Sequence, residues 1–487
     1  MSKNNAKTAE ELLQEALVPE EEQPYKVPDN WSVVKLKTVC AYIQRGKSPK
    51  YADDMQEIPV ISQKCVQWSG FDISKARFID PNTLNSYQPE RFLQDYDILW
   101  NSTGEGTIGR VALYRTKATN HKIVVADSHV TIVRSDKRVL DPRFLFYWLS
   151  SPYIQKYSIS RSVSGTTKQT ELSTSAIKEM LCFLPPLFEQ KRITGKVEVL
   201  LNKINQAKQL IEEAKETFEL RRAAILDKAF RGELTANFRE KSSFVKENTS
   251  IEKSHVSMFE IPNEWRWVEA GVLFSSFPRN GFSPKSTGES SHVKTLKLGA
   301  ITKGYFKKEE FKFIDEDIKP DSYLWLKTGD FLIQRANSIE YVGTAAIYTG
   351  PDDDCIYPDL IMKGKVDETI ILPQYLVFWI NSSFGKNYIR ENATGTAGNM
   401  PKINQKVVKG FPVPLPSISE QKVILVTLEK INDNEKNIIQ SIEEIESKLE
   451  ALTKGILTNA FSGDLGTTDL ENETSIELLR ECLFGSL

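Results

Sequence analysis

The chain contains most of itself twice. Leu184-Pro185-Pro186-Leu187-Phe188-Glu189-Gln190-Lys191 returns as Leu415-Pro416-Ser417-Ile418-Ser419-Glu420-Gln421-Lys422. Ala229-Phe230-Arg231-Gly232-Glu233-Leu234 returns as Ala460-Phe461-Ser462-Gly463-Asp464-Leu465, and Val27-Pro28-Asp29-Asn30-Trp31 as Ile261-Pro262-Asn263-Glu264-Trp265. All three pairs are separated by 231 to 234 positions in a chain of 487 residues. A period near half the length means that one whole half has been duplicated, which excludes a short-repeat solenoid.

Between the Pro-x-x-x-Glu-Gln marker and the Phe-x-Gly marker lies a proline-free stretch rich in Glu, Lys, Gln and Leu. Ile193, Val197, Leu200, Ile204, Ala207, Ile211, Ala214, Phe218 and Ile225 follow alternating steps of four and three, interrupted by Arg221. Ile424, Leu428, Ile431, Ile438, Ile442, Ile445, Leu449, Leu452 and Ile456 repeat the pattern, interrupted by Glu435. This spacing predicts two helices of coiled-coil type, each about 40 residues and roughly 60 Å long. A seam sustained over so many heptads wants another helix, and the other copy is the obvious partner. Two equal halves that pack through one surface favour a two-fold relation, which predicts an antiparallel pair.

The segments before each helix have another texture. Ile58-Pro59-Val60-Ile61, Ile123-Val124-Val125-Ala126 and Phe331-Leu332-Ile333 are short apolar runs bounded by Gly, Pro, Asp and Asn, as strands are. A helix expected at about 142–157 recurs at Gln374–Ile380. Each segment therefore reads as a mixed α/β module, and the whole chain as α+β. Likeness between the copies is concentrated in these scaffold positions, whereas the loops have diverged. Two modules with one frame and different loops imply recognition of two different things. At the ends, Glu11–Leu17 resembles Glu477–Leu483, and both suit short amphipathic helices that could meet.

The net charge of −2 hides a division. Residues 1–24 hold six acids against two bases and residues 464–487 six against one, leaving the body between them at about +7. Such a body permits binding of a polyanion. The five cysteines are scattered and odd in number, and the four histidines are dispersed, which argues against a disulfide framework or a metal site. His121 and His129 fall in a strand-like stretch and read as structural. No apolar run is long enough to span a membrane and no signal-peptide pattern opens the chain, so a cytoplasmic location is expected.

Two glycine motifs suggest nucleotides and fail on context. Ala41–Ser48 fits a loose phosphate loop, but Pro49 follows at once, and its copy Asn280-Gly281-Phe282-Ser283-Pro284-Lys285 keeps only a turn. Gly104-Glu105-Gly106-Thr107-Ile108-Gly109 matches a dinucleotide fingerprint, but Arg110–Tyr114 reads as a strand where a helix is required. No Asn/Asp-Pro-Pro-aromatic methylation motif is present, Pro351-Asp352-Asp353-Asp354 lacks the lysine partner of a nuclease site, and no nucleophile–base constellation stands out. The chain reads as non-catalytic.

Taken in order, these features resemble the DNA specificity subunit of type I restriction–modification systems. The carriers are Pro28 to Trp31 and Pro262 to Trp265, the Asp97-Ile98-Leu99…Ile108-Gly109 stretch with its weaker echo from Asp330 to Gly343, and the turns Ser164-Gly165-Thr166 and Thr394-Gly395-Thr396. The Pro-x-x-x-Glu-Gln helix start completes the set. The resemblance implies two target-recognition domains, at 25–184 and 260–414, and helical spacers at 185–235 and 415–465. A linker would lie at 236–259, an acidic amphipathic segment at 1–24 and an amphipathic tail at 466–487. It also implies partners: double-stranded DNA, two modification subunits that use S-adenosylmethionine, and restriction subunits that use ATP and Mg, with no cofactor bound by this chain. A stand-alone two-module DNA-binding regulator and a coiled-coil interaction scaffold remain open alternatives.

Polar and cationic loop residues suit phosphate anchoring and base-edge contacts. The candidates are Arg45, Lys47, Ser48, Lys50, Lys64 and Lys168 in the first module, and Arg279, Lys285, Lys297, Arg335, Asn337 and Lys402 in the second. The expected spacer interface is Ile193, Val197, Leu200, Ile204, Ile211, Phe218, Ile424, Leu428, Ile431, Ile438, Ile442, Ile445 and Leu449.

Overall fold

Both proline-free stretches form single helices, Leu187–Phe230 and Ile418–Ser462. This is seen in a computed structural model that describes residues 8–52, 57–104, 106–164, 171–241, 254, 256–283, 293–395, 400–465 and 474–484. The chain divides into two units, Met1–Leu210 with Glu443–Leu487, and Ile211–Ile442. These units cut across the linear division into domains and spacers, because each helix begins in one hydrophobic core and ends in the other. Ile193 and Val197 share the first core with Leu457, Ala460 and Phe461. Ile424, Leu425 and Leu428 share the second with Ala229 and Phe230. Within each unit, then, the start of one helix runs antiparallel to the end of the other.

On the first helix Ile193, Val197 and Ile204 are buried, and Leu200, Ala207, Ile211, Ala214, Phe218 and Ile225 are partly buried along one face. On the second, Ile424, Leu428 and Ile442 are buried and Ile431, Ile438 and Leu449 partly buried. The expected stripe fails at Ile445 and Leu452, which are 44 % and 56 % exposed. Beyond Ile442 the inward face passes instead through Glu446, Leu449, Thr453, Ile456 and Leu457. A helix of 3.6 residues per turn drifts by about 20° per heptad against a strict seven-residue repeat, so a long extrapolated stripe slides off the contact face.

The repeated markers meet in space. In the second unit the buried Glu420 carboxylate accepts hydrogen bonds from Trp265 Nε1 (2.9 Å), Thr235 Oγ1 (2.6 Å) and Arg239. One residue from each marker, or just beyond it, thus converges on one carboxylate in this unit. In the first unit Glu189 accepts from Asn30 Nδ2 (3.1 Å). The neighbouring glutamines act as latches. Gln190 Oε1 accepts from Asp141 N (2.8 Å) and Gln421 Oε1 from Leu372 N (2.7 Å), each holding the start of the module's apolar helix. Those helices, Pro142–Leu149 and Pro373–Asn381, bury Trp148 and Trp379, whose indole N–H groups donate to Leu181 O and Pro412 O. The first ends earlier than expected. Pro152 has no N–H to continue the ladder, and a π-helical segment, Tyr153–Ser158, follows.

Each module carries a four-stranded antiparallel sheet. In the first, β1 (Cys40–Arg45), β2 (Ile98–Asn101), β3 (Val111–Leu113) and β4 (Val130–Ser135) lie in the order β1-β4-β2-β3. In the second, β5 (Phe274–Asn280), β6 (Phe331–Gln334), β7 (Ala345–Ile347) and β8 (Ile361–Val366) lie in the order β5-β8-β6-β7. The duplicated Asp-Ile-Leu and Asp-Phe-Leu stretches start the central strands. Asp97 accepts from Gln94 N and Asp330 from Lys327 N, closing the turn before each strand. Asp97 is fully buried, and burial raises its carboxyl above the usual range against the pull of Arg134, which grips it through two 2.7 Å bonds.

The terminal segments pair in the first unit. The helices Ala9–Ala16 and Ser475–Phe484 bury Leu13 and Leu479 together in its core, with Arg480 3.2 Å from Glu10. Thr8 and Glu11 form a reciprocal capping box at the first of them. Among the described residues no helix is long and apolar enough to cross a membrane.

Candidate nucleic-acid interface

The sheets end in loops, and the loops converge. In the first module β1 runs into Arg45-Gly46-Lys47-Ser48, which crosses close to the turn at Ala126–His129. A Cβ on Gly46 would stand 2.1 Å from Ala126 O, so no other residue fits that crossing. Gly281 occupies the same place, with Tyr357 O at 2.1 Å from its would-be Cβ. The Gly-x-Ser pattern is thus a crossing of two backbones, not a phosphate cradle. Ser48 Oγ lies 3.1 Å from Ser128 Oγ, and in the copy Ser283 bonds Asp359.

The loop after β2 joins this crossing. Thr103 Oγ1 meets His129 Nδ1 at 2.7 Å and accepts from Gln63 Nε2, and Thr103 pairs through its backbone with Glu171. His129 therefore stands exposed in a turn before β4, in place of the structural strand position expected for it. Arg110 bonds Gln67 and Gly106 O, which closes the glycine-rich stretch into a turn between two strands. The second module repeats the frame. Ala336 pairs with Lys402, Ile403 N donates to Arg335 O, and Asn337 N donates to Pro401 O. Buried Asn101 and Gln334 are equivalent braces, donating to Gln63 O and Val66 O, and to Leu298 O and Thr302 Oγ1.

The candidates sort by what they touch. Arg45 is committed to the frame, since it donates to Leu172 O and pairs with Glu171 at 2.9 Å. Lys47 bonds Ser86 O and Oγ, and Lys50 stands 3.7 Å from Asp80 with its side chain largely exposed. Lys64, Lys297 and Lys402 are exposed. Arg279 stacks over the Tyr323 ring at 4.0 Å, and Arg335 lies 4.0 Å from Asp359. Asn337 Nδ2 donates to Gln334 Oε1. Lys168 and Lys285 lie outside the described residues, as do Gly165, Thr166 and Thr396.

The structure adds residues that the linear reading missed. Gln63, Thr103, Arg110, His129 and Glu171 join the first face. In the second, Asn280, Tyr323, Asn404, Gln405 and Lys406 line an open cleft of about 450 Å³ with Arg279 and Arg335. Three cations around an open cleft suit an anionic backbone, and the amides among them can both donate and accept. Burial raises the Asp127 carboxyl that caps the His129 turn, while the His129 N–H at 2.8 Å opposes the rise. Among the described residues no group of three or more His, Cys, Asp or Glu could hold a metal ion.

Comparison with known proteins bears on the family and the fold of the chain. The family described as the type I restriction modification DNA specificity domain matches residues 28–216 and 285–446. The chain is 23 % identical over 454 residues to the type I restriction enzyme EcoKI specificity subunit of Escherichia coli K12, covering 90 % of each. It is 24 % identical over 458 residues to a putative type I restriction enzyme MjaX specificity subunit of Methanocaldococcus jannaschii, covering 90 % of this chain and 95 % of that one. In fold it is similar to a chain solved in a study of complex assembly and conformational transition of the type I restriction–modification system. The TM-score there is 0.66 at 20 % identity, over 91 % of this chain and all of that one.

Proposed function

The chain belongs to the type I restriction–modification DNA specificity family, and on that premise we propose that each module reads one half of an asymmetric two-part DNA site. The long helices set the distance between the halves and dock two modification subunits. Restriction subunits join that assembly, and S-adenosylmethionine, ATP and Mg are used by the partners. The chain itself supplies recognition and no chemistry.

The observation that carries this reading is the pair of equivalent loop faces with unlike side chains. The bridge that joins the second loop to the chain's return presents Glu171 in one module and Lys402 in the other. A carboxylate can only accept and an ammonium only donate, so equivalent positions on equivalent frames favour different base edges. Exchanging residues 25–184 for the corresponding module of a relative tests it. Sequencing the methylated genome of cells carrying the hybrid should show one half of the motif changed and the other intact. A change in both halves, or in neither, would defeat the proposal.

A further inference from the structure

Trp68 is 62 % exposed, at the tip of a short hairpin formed by Val66–Gln67 and Gly70–Phe71. The hairpin beneath it is fixed. Val66 is buried and its carbonyl accepts from Asn101, Phe71 packs edge-on against Tyr114 at 5.5 Å, and Gln67 is held by Arg110 at 2.6 Å. The indole is therefore held out on a rigid base beside the 103–110 turn, on the recognition face. It belongs to none of the hydrophobic clusters. Exposing so large an apolar ring gives the fold no packing.

The second module does the same with different residues. Its equivalent tip, Thr302-Lys303-Gly304-Tyr305, leaves Tyr305 46 % exposed. Phe306 packs on Tyr348 at 4.7 Å as Phe71 packs on Tyr114, and Thr302 accepts from Gln334 as Val66 accepts from Asn101. The tip sequences have diverged, yet each retains one outward aromatic ring. Exposed Lys64 lies four residues before the first ring and the Arg110 guanidinium holds its neighbour Gln67, while exposed Lys303 lies two residues before the second ring. Cations around a projecting ring fit a polyanion whose interior is made of stackable faces.

We propose that Trp68 and Tyr305 each stack on a base of duplex DNA, one in each half-site, with the neighbouring cations on the flanking phosphates. This rests on the reading of the modules as half-site readers and adds a stacking contact to it. Every base has a π-face, so the contact adds affinity with little regard to sequence, while an inserted ring requires local unstacking of the duplex.

The test uses the full chain assembled with its partner subunits. The probes are duplexes carrying the motif identified by methylome sequencing, with 2-aminopurine at single positions. Trp68→Ala should weaken binding roughly tenfold and abolish a fluorescence change confined to the first half-site, whereas Trp68→Phe should bind within about threefold of the parent. Tyr305→Ala should act on the second half-site only. Unchanged affinity and fluorescence in Trp68→Ala would overturn the inference. So would loss of partner subunits at unchanged DNA affinity of the assembled fraction, because the ring would then be a protein contact. If the parent complex itself fails to prefer motif duplexes over scrambled ones, the half-site reading falls, and the inference with it.

Discussion

The Arg222 guanidinium lies 3.5 Å from the Glu435 carboxylate, so the polar interruption of the second helix stripe meets the cation next to the interruption of the first, Arg221. Burial raises the Glu435 carboxyl above its usual range, Arg222 pulls it back, and Glu219 adds to the rise. An ion pair set into an apolar seam contributes little net stability but disfavours other alignments, because a shifted register leaves a carboxylate against hydrocarbon.

Removing one partner should therefore cost more than removing both. Arg222 is 42 % exposed, which screens the pair, so Arg222→Leu should destabilise by only about 1 kcal/mol. The double variant Arg222→Leu with Glu435→Leu should recover or exceed the parent. Denaturant unfolding of the four-member cycle measures this, and additive losses would show that the pair does not couple.

Lys386 carries a clear pH signature. Burial lowers its ammonium to about 8, with Arg390 adding to the shift, and its Nζ bonds Thr344 Oγ1. The unfolded lysine titrates near 10.5, so the unfolded state holds the extra proton between about pH 8 and 10.5. The penalty for burying the charge is complete below pH 8 and disappears above 10.5. Gln155 stands at the equivalent position of the first copy, bonding Gly109 O. Lys386→Gln should accordingly stabilise the protein by roughly 1–3 kcal/mol at pH 7. Thermal unfolding across pH should show the advantage shrinking through that window, and an advantage independent of pH would contradict the assignment.

Glu171 should select a base that exposes an amine. It is half exposed beside Arg45, and a carboxylate accepts from cytosine N4 or adenine N6. Glu171→Gln, which can also donate, should relax one position of one half-site by roughly tenfold, read as new methylated motifs in the genome. An unchanged motif would make Glu171 only the counter-ion of Arg45.

The helices should act as a ruler. Inserting one heptad after Ala214 and another after Ile442 adds about 10 Å at 1.5 Å per residue, close to three base pairs of rise. DNA twist moves the two faces out of phase at the same time, so a gain of two or four is also consistent. An active protein whose spacer is unchanged would remove the helices from that role.

The duplication, both long helices and the central strands were legible in the sequence, because each is written in local periodicity or in words that recur at a fixed offset. The retained markers were legible too, although not their convergence in the second unit: Trp265, Thr235 and Glu420 are spread over 185 residues, and only the folded chain brings them to one carboxylate. Helix phase was decided by tertiary packing, since a small angular drift per heptad is invisible in a pattern and decisive at Ile445. The loop faces were decided there as well. Sheet register sets Thr103 beside both His129 and Glu171, turns Arg45 from a presumed reader into a brace, and leaves Trp68 projecting. Residue type fixes what a side chain can bond. Which bonds it has left to offer depends on neighbours brought in from far along the chain.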